Sequence, residues 1–152
     1  MFREGYKQMK KRINANNLEK FCIEAMIQSG LSQQDAELSA RVFVTTDTWG
    51  TFTHGTRQIR GLMNNARRGR LVADAKETIV AEGPSWAIID ANDGMPPAIS
   101  CRAVDVAISK ARITGMAYVG VRRSSHYGAA GYYANMIAEN DMFGMSMCNV
   151  EP

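Results

Sequence analysis

Apolar residues recur at Leu18, Phe21, Cys22, Ala25 and Met26, the spacing of one buried helix face. Asn16 or Asn17 is the expected N-cap, and Ser29-Gly30 the expected stop, glycine supplying the left-handed position past the helix end. Ser32, with Asp35 three residues on, resembles a capping box with the shorter acid. It opens a second helix through Leu38 and Val42 to Thr48, which Trp49 and Gly50 end. Thr51 or Thr53 is expected to cap a third helix with the stripe Ile59, Leu62, Met63 and Ala66, running out at Arg67-Arg68-Gly69.

From Lys76 the period shortens, and ETIVAEG and SWAIID read as strands joined through a tight connection at Gly83-Pro84. Asp93-Gly94 and Pro96-Pro97 then punctuate the chain before a fourth helix with the stripe Cys101, Val104, Ala107, Ile108 and Ala111. Its Asp105, Lys110 and Arg112 point outward. Residues 116–121 read as a strand, 129–140 as a helix and 142–148 as a near-continuous apolar strand of the kind covered on both faces. The pattern divides into a helical unit, residues 1–75, and the first part of a sheet domain, residues 76–152, with 1–15 a partly ordered arm. Because the sequence stops just after an apolar strand, we expect a piece of a longer chain, or one completed by a partner's segment.

Composition narrows the class. With 152 residues, 45% hydrophobic and 22% charged, the chain reads as globular, and no apolar run approaches a membrane span or a secretory h-region. A cytoplasmic protein that engages no membrane is expected. The net charge of +3 is too small to indicate nucleic acid, and neither Arg67, Arg68 and Arg70 nor Lys7, Lys10, Lys11 and Arg12 interleave with aromatics. Cys22, Cys101 and Cys148 are odd in number, widely spaced and each on an apolar face, so reduced buried thiols are expected. Cys148 as a nucleophile lacks a local base.

The two histidines, His54 and His126, carry the chemistry. His54 lies in TFTHGTRQIRGL at what reads as a helix start, with Arg57 one turn on. There an imidazole can exchange a proton, a guanidinium can grip a carboxylate in two-point fashion, and first-turn N–H groups add positive charge. That set suits a 2-oxo or 2-hydroxy acid. His126 lies where a strand hands over to a helix, in Ser124-Ser125-His126-Tyr127-Gly128, whose amides and hydroxyls can hold a phosphate or a nicotinamide ribose. The following GAAG is no GxGxxG fingerprint. Neither histidine has a second ligand at zinc spacing, so no metal is expected. The plainer reading is that His54 caps or packs and that the glycines serve helix packing.

Together Thr53-His54-Gly55-Thr56-Arg57, the helix at 103–111, the run GMAYVGVRRSSHYGAAGYY at 115–133 and the Gly144 to Asn149 element resemble the malate/L-lactate dehydrogenase family, which is distinct from the Rossmann-fold lactate and malate dehydrogenases. The resemblance covers nearly the whole chain. It implies an α+β or mixed α/β fold: an N-terminal helical unit, then part of a non-Rossmann cofactor-binding domain with a mixed sheet. It further implies NAD or NADP as cofactor, a homodimer, and a hydride transfer involving a small 2-hydroxy or 2-oxo acid of malate, lactate or ureidoglycolate type. By the resemblance His54 and His126 are acid/base residues, Thr53 and Arg57 bind substrate, and Ser124, Ser125, His126, Tyr127 and Gly128 border the nicotinamide. Thr53 stands where the family usually has Ser, and an aromatic common after the arginine gives way to Leu62, Met63, Asn64 and Asn65. Two other readings stay open: an inactive dimerising or regulatory fragment, and a basic nucleic-acid module built on residues 67–70.

Overall fold

A computed structural model describes residues 12–149, so the expected arm and Lys7, Lys10 and Lys11 lie almost wholly outside the described residues. The first helix, α1 (Ala15–Ile27), starts earlier than its periodicity predicts. Asn14 is the N-cap rather than Asn16 or Asn17, because Asn14 is the extended residue whose side chain reaches the Asn17 N–H, at 3.2 Å. Gly30, at φ 98°, takes the left-handed turn that ends it. The Ser32 cap holds as expected, its hydroxyl accepting from the Asp35 N–H at the head of α2 (Gln33–Thr48).

The third helix departs more. Neither Thr51 nor Thr53 caps it: a turn through residues 52–55 leads into a 3-10 turn, Thr56–Gln58, and only then α3 (Ile59–Arg67). The cause is local, since Thr56 is engaged by Asp47 from α2 and the Thr53 hydroxyl by the ring of His54. His54 therefore lies before the helix and not in its first turn.

The strands β1 (Thr78–Gly83) and β2 (Trp86–Asp90) form the expected hairpin around Pro84-Ser85, with Gly83 paired to Trp86. Helix α4 (Pro96–Thr114) begins on its two prolines, which suit a first turn because its N–H groups have no helical partners. It crosses back to β3 (Tyr118–Arg122), which pairs parallel with β2, giving a mixed sheet ordered β1-β2-β3. A loop then leads to α5 (Ala130–Ala138).

Helix α4 is central. Its Ile99 and Ala103 pack on Ile89 of β2 and on Val119 and Val121 of β3. Its Cys101 meets Val42 of α2 and Tyr133 of α5, while Ala98 joins the α1–α2–α3 core around Met26, Phe43 and Leu62. A charged fastener runs alongside: Arg102 reaches Asp35 of α2 at 2.5 Å and grips Glu77, just ahead of β1, at 2.5 and 2.7 Å. Burial raises the Asp35 pKa, but Arg102, the Ser32 hydroxyl and Lys76 outweigh it and hold the carboxyl below its ordinary value.

Further expectations fail. Residues 142–148 are not a strand: they run without ladder pairing, and Phe143 is 91% exposed. A strand exists only through a neighbour that takes its N–H and C=O groups, and no described segment offers that edge. Strand β3 is covered on the α4 side and only half-buried. Cys148, on the unpaired segment, is exposed, whereas Cys22 and Cys101 are buried free thiols as expected. Burial pushes their pKa values up, to about 11 and about 12.

Candidate active site

Two loops meet beside the outer end of α2. The first leaves α2 at Gly50, whose φ of 82° turns the chain, and returns through His54 to the 3-10 turn. The His54 N–H is held by the Thr51 carbonyl at 3.0 Å. At the far side of the turn one Asp47 oxygen accepts both the Thr56 N–H, at 3.1 Å, and the Thr56 hydroxyl, at 2.5 Å. Gly55 is required beneath it, because a β-carbon there would stand 1.8 Å from the other Asp47 oxygen.

The second loop leaves β3 at the carboxyl end of the parallel pair. Asp90 and Arg122 are register partners across β2 and β3, and their side chains join at 2.9 Å. Arg123 reaches the same carboxylate at 3.0 Å. These arginines thus fasten the base of the loop to the sheet. The Asn92 N–H first, and the two guanidinium groups, outweigh the effect of burial and hold the Asp90 pKa below its ordinary value. At its other end the loop turns on Gly128, at φ 92°, a conformation costly for any residue with a β-carbon. Gly128 is buried, and a β-carbon on it would stand 3.2 Å from Val42 and 3.5 Å from Phe43 of α2 and 3.6 Å from the His54 carbonyl oxygen.

The two loops also bring the imidazoles together. The His54 and His126 ring centroids are 5.3 Å apart, tilted by 36°. The Gly128 N–H points at His126 Nδ1 at 3.2 Å. An N–H can only donate, so Nδ1 carries the lone pair and the proton of the neutral ring sits on Nε2. Burial first, and then the neighbouring His54, lower the His126 pKa, favouring the uncharged ring. His54 Nδ1 meets the Thr53 hydroxyl at 2.8 Å, leaving its Nε2 free.

Of the other sequence-predicted site residues, Thr53 contacts His54, and Ser124 and Ser125 lie exposed on the loop just before His126. Arg57 is exposed on the 3-10 turn. Tyr127 turns its ring onto Tyr133, stacked at 4.8 Å, while its carbonyl accepts from the Tyr133 hydroxyl. Its own hydroxyl pairs with Ser146 at 3.2 Å. Asp47 and Asp90 escaped the sequence reading. The one signal for Asp47 was a carboxylate at the end of the helix that delivers His54.

Residues 13–152 match the family profile described as malate/L-lactate dehydrogenase. The chain is 35% identical to a malate dehydrogenase of Pyrococcus abyssi over all of its length and 42% of that protein's. It is 31% identical to an L-sulfolactate dehydrogenase of Methanocaldococcus jannaschii over 92% of this chain and 41% of that one. The solved structure of the malate dehydrogenase of Pyrococcus horikoshii OT3 superposes with a TM-score of 0.85 at 33% identity, covering 92% of this chain and 40% of that chain. The chain thus spans about two fifths of the length of these relatives.

Proposed function

The chain belongs to the malate/L-lactate dehydrogenase family, and on that premise we propose that it is the acid/base portion of an NAD(P)-dependent oxidoreductase acting on a small 2-hydroxy or 2-oxo acid. The observation that carries this reading is the pairing of the histidine rings at 5.3 Å, from loops that are 72 positions apart. Two imidazoles at one spot, with an exposed arginine on the adjoining turn, match what a hydroxy acid presents: a hydroxyl to deprotonate and a carboxylate to hold.

In the oxidative direction Arg57 grips the substrate carboxylate through its fork of donors. His126 donates its Nε2–H to the substrate oxygen, and His54 Nε2 takes the hydroxyl proton as the hydride leaves carbon and the C=O bond forms. Thr53 accepts from His54 Nδ1–H and so keeps that lone pair available. In reduction the same proton returns from His54 to the carbonyl oxygen. A nicotinamide cofactor supplies the hydride acceptor. The exposed Ser124 and Ser125 hydroxyls beside His126 fit one polar end of such a group, whereas Gly128 faces α2 and bears on the cofactor only by shaping the loop. Relatives whose names specify NAD(+) and NADP(+) both occur, and support either form.

We extend the reading to a cytoplasmic homodimer in which residues 1–75 and 76–152 belong to separate units. The exposed Phe143, Met145 and Met147 support further polypeptide over that segment. The test is nicotinamide absorbance in the full-length protein with malate, lactate, sulfolactate and ureidoglycolate. His54→Ala and His126→Ala should each lower turnover by at least about a hundredfold, the usual scale for an acid/base group. Unchanged turnover in both variants overturns the assignment.

A further inference from the structure

The turn that carries His54 is closed by a carboxylate that the proposed chemistry does not touch. Asp47, at the end of α2, accepts twice from Thr56 through one oxygen and covers Gly55 with the other. The residue after His54 is thereby fixed from above, and the one after that from the side. The His54 carbonyl oxygen, in turn, faces Gly128, where a β-carbon would stand 3.6 Å from it.

We propose that Asp47 is a positioning residue: by tying Thr56 to the end of α2 it sets the separation of the His54 and His126 rings. The catalytic consequence rests on the oxidoreductase reading; the geometric one stands without it. An ionised acceptor with two donors is stronger than a neutral one and holds its partners at shorter distances. A displacement of one ångström in a reacting group can cost about a hundredfold in rate, so a residue that touches neither substrate nor ring can still govern turnover.

Three variants test this: Asp47→Ala, which removes the acceptor; Asp47→Asn, which keeps one oxygen for the Thr56 N–H; and Thr56→Val, which removes one donor. In the 152-residue chain, NMR should show a nuclear Overhauser effect between the His54 and His126 ring protons that persists in Asp47→Asn and is lost in Asp47→Ala. In the full-length protein, Asp47→Ala should lower kcat by about a hundredfold with KM for the nicotinamide cofactor unchanged, and Asp47→Asn should recover most of it. Thr56→Val should fall between. Should Asp47→Ala not fold, Thr56→Val decides. A folded variant lacking the acceptor or the donor that keeps both the ring contact and kcat overturns the proposal, as does a fall in kcat with the ring contact intact. If the parent protein shows no oxidoreductase activity, the functional reading falls, while the ring contact still decides the role of Asp47.

Discussion

The two histidine loops are held in different ways. His54 sits on a turn closed by its own neighbourhood: Asp47, Thr51 and Thr56 all lie within nine residues of one another and hold it through hydrogen bonds, with Asp47 also packed over Gly55. His126 sits on a loop held by distant chain: Asp90 from the neighbouring strand at its base, and α2 beneath Gly128 at its tip. A local clamp can form as soon as its helix forms. The long-range one exists only once sheet, α4 and α2 are assembled, so the paired site reports on the whole fold.

The largest expected effect breaks both loops together. Arg102 ties α2 to α4 and to the entry of β1, and the Asp35 side chain it neutralises is 2% exposed. Arg102→Met leaves that carboxylate buried without its main partner, which should cost about 3–5 kcal/mol in chemical denaturation. Asp35→Leu combined with Arg102→Met should recover much of the loss, since replacing a buried pair by apolar residues is often neutral. The paired rings should disappear in step with global unfolding in the single variant.

Gly128→Ala discriminates between the loops. The new methyl must adopt φ 92° and meets Val42 at 3.2 Å, so the strain should cost about 1–3 kcal/mol. The His126 loop should lift from α2 while the Asp47–Thr56 clamp stays formed. The measurement is again the ring-to-ring nuclear Overhauser effect, now set beside the amide shift of Thr56: the first should vanish and the second should hold. A shift of both would show that the clamp leans on Gly128 and that the two supports are one.

This division also explains what the sequence allowed one to read. Ser32, Gly30 and the Gly83-Pro84 hairpin were legible because caps and tight turns are written in a few adjacent residues. The third helix start was not, because Thr51 and Thr53 are as good caps as any in isolation, and only the reach of Asp47 to Thr56 moves the start to Ile59. Residues 142–148 carried a strand's apolar content without the neighbour that makes a strand. At the site, the residue types and spacings singled out both histidines. Their meeting depends on a positive φ at Gly128 and on the register of Asp90 with Arg122, which no local pattern encodes.

The smallest expected effect sharpens the comparison through pH. The His126 pKa is lowered in the folded state, by burial first and by His54 second, from an ordinary 6.5. Between the lowered value and 6.5 the unfolded chain binds more protons than the folded one, so stability should rise with pH across that window and level off above it. The Asp35 carboxyl gives a slope of the same sign, but in a separate window below its ordinary 3.8, where its salt bridge is lost as pH falls. Thermal unfolding between pH 5 and 7.5 should therefore show a shallow rise belonging to His126. His126→Asn should flatten it. His54→Ala should only reduce it, because burial persists when the neighbouring ring is gone. Equal flattening by both variants would mean that the two rings, not the burial of one, create the shift, and that the local clamp rather than the long-range packing sets the electrostatics of the pair.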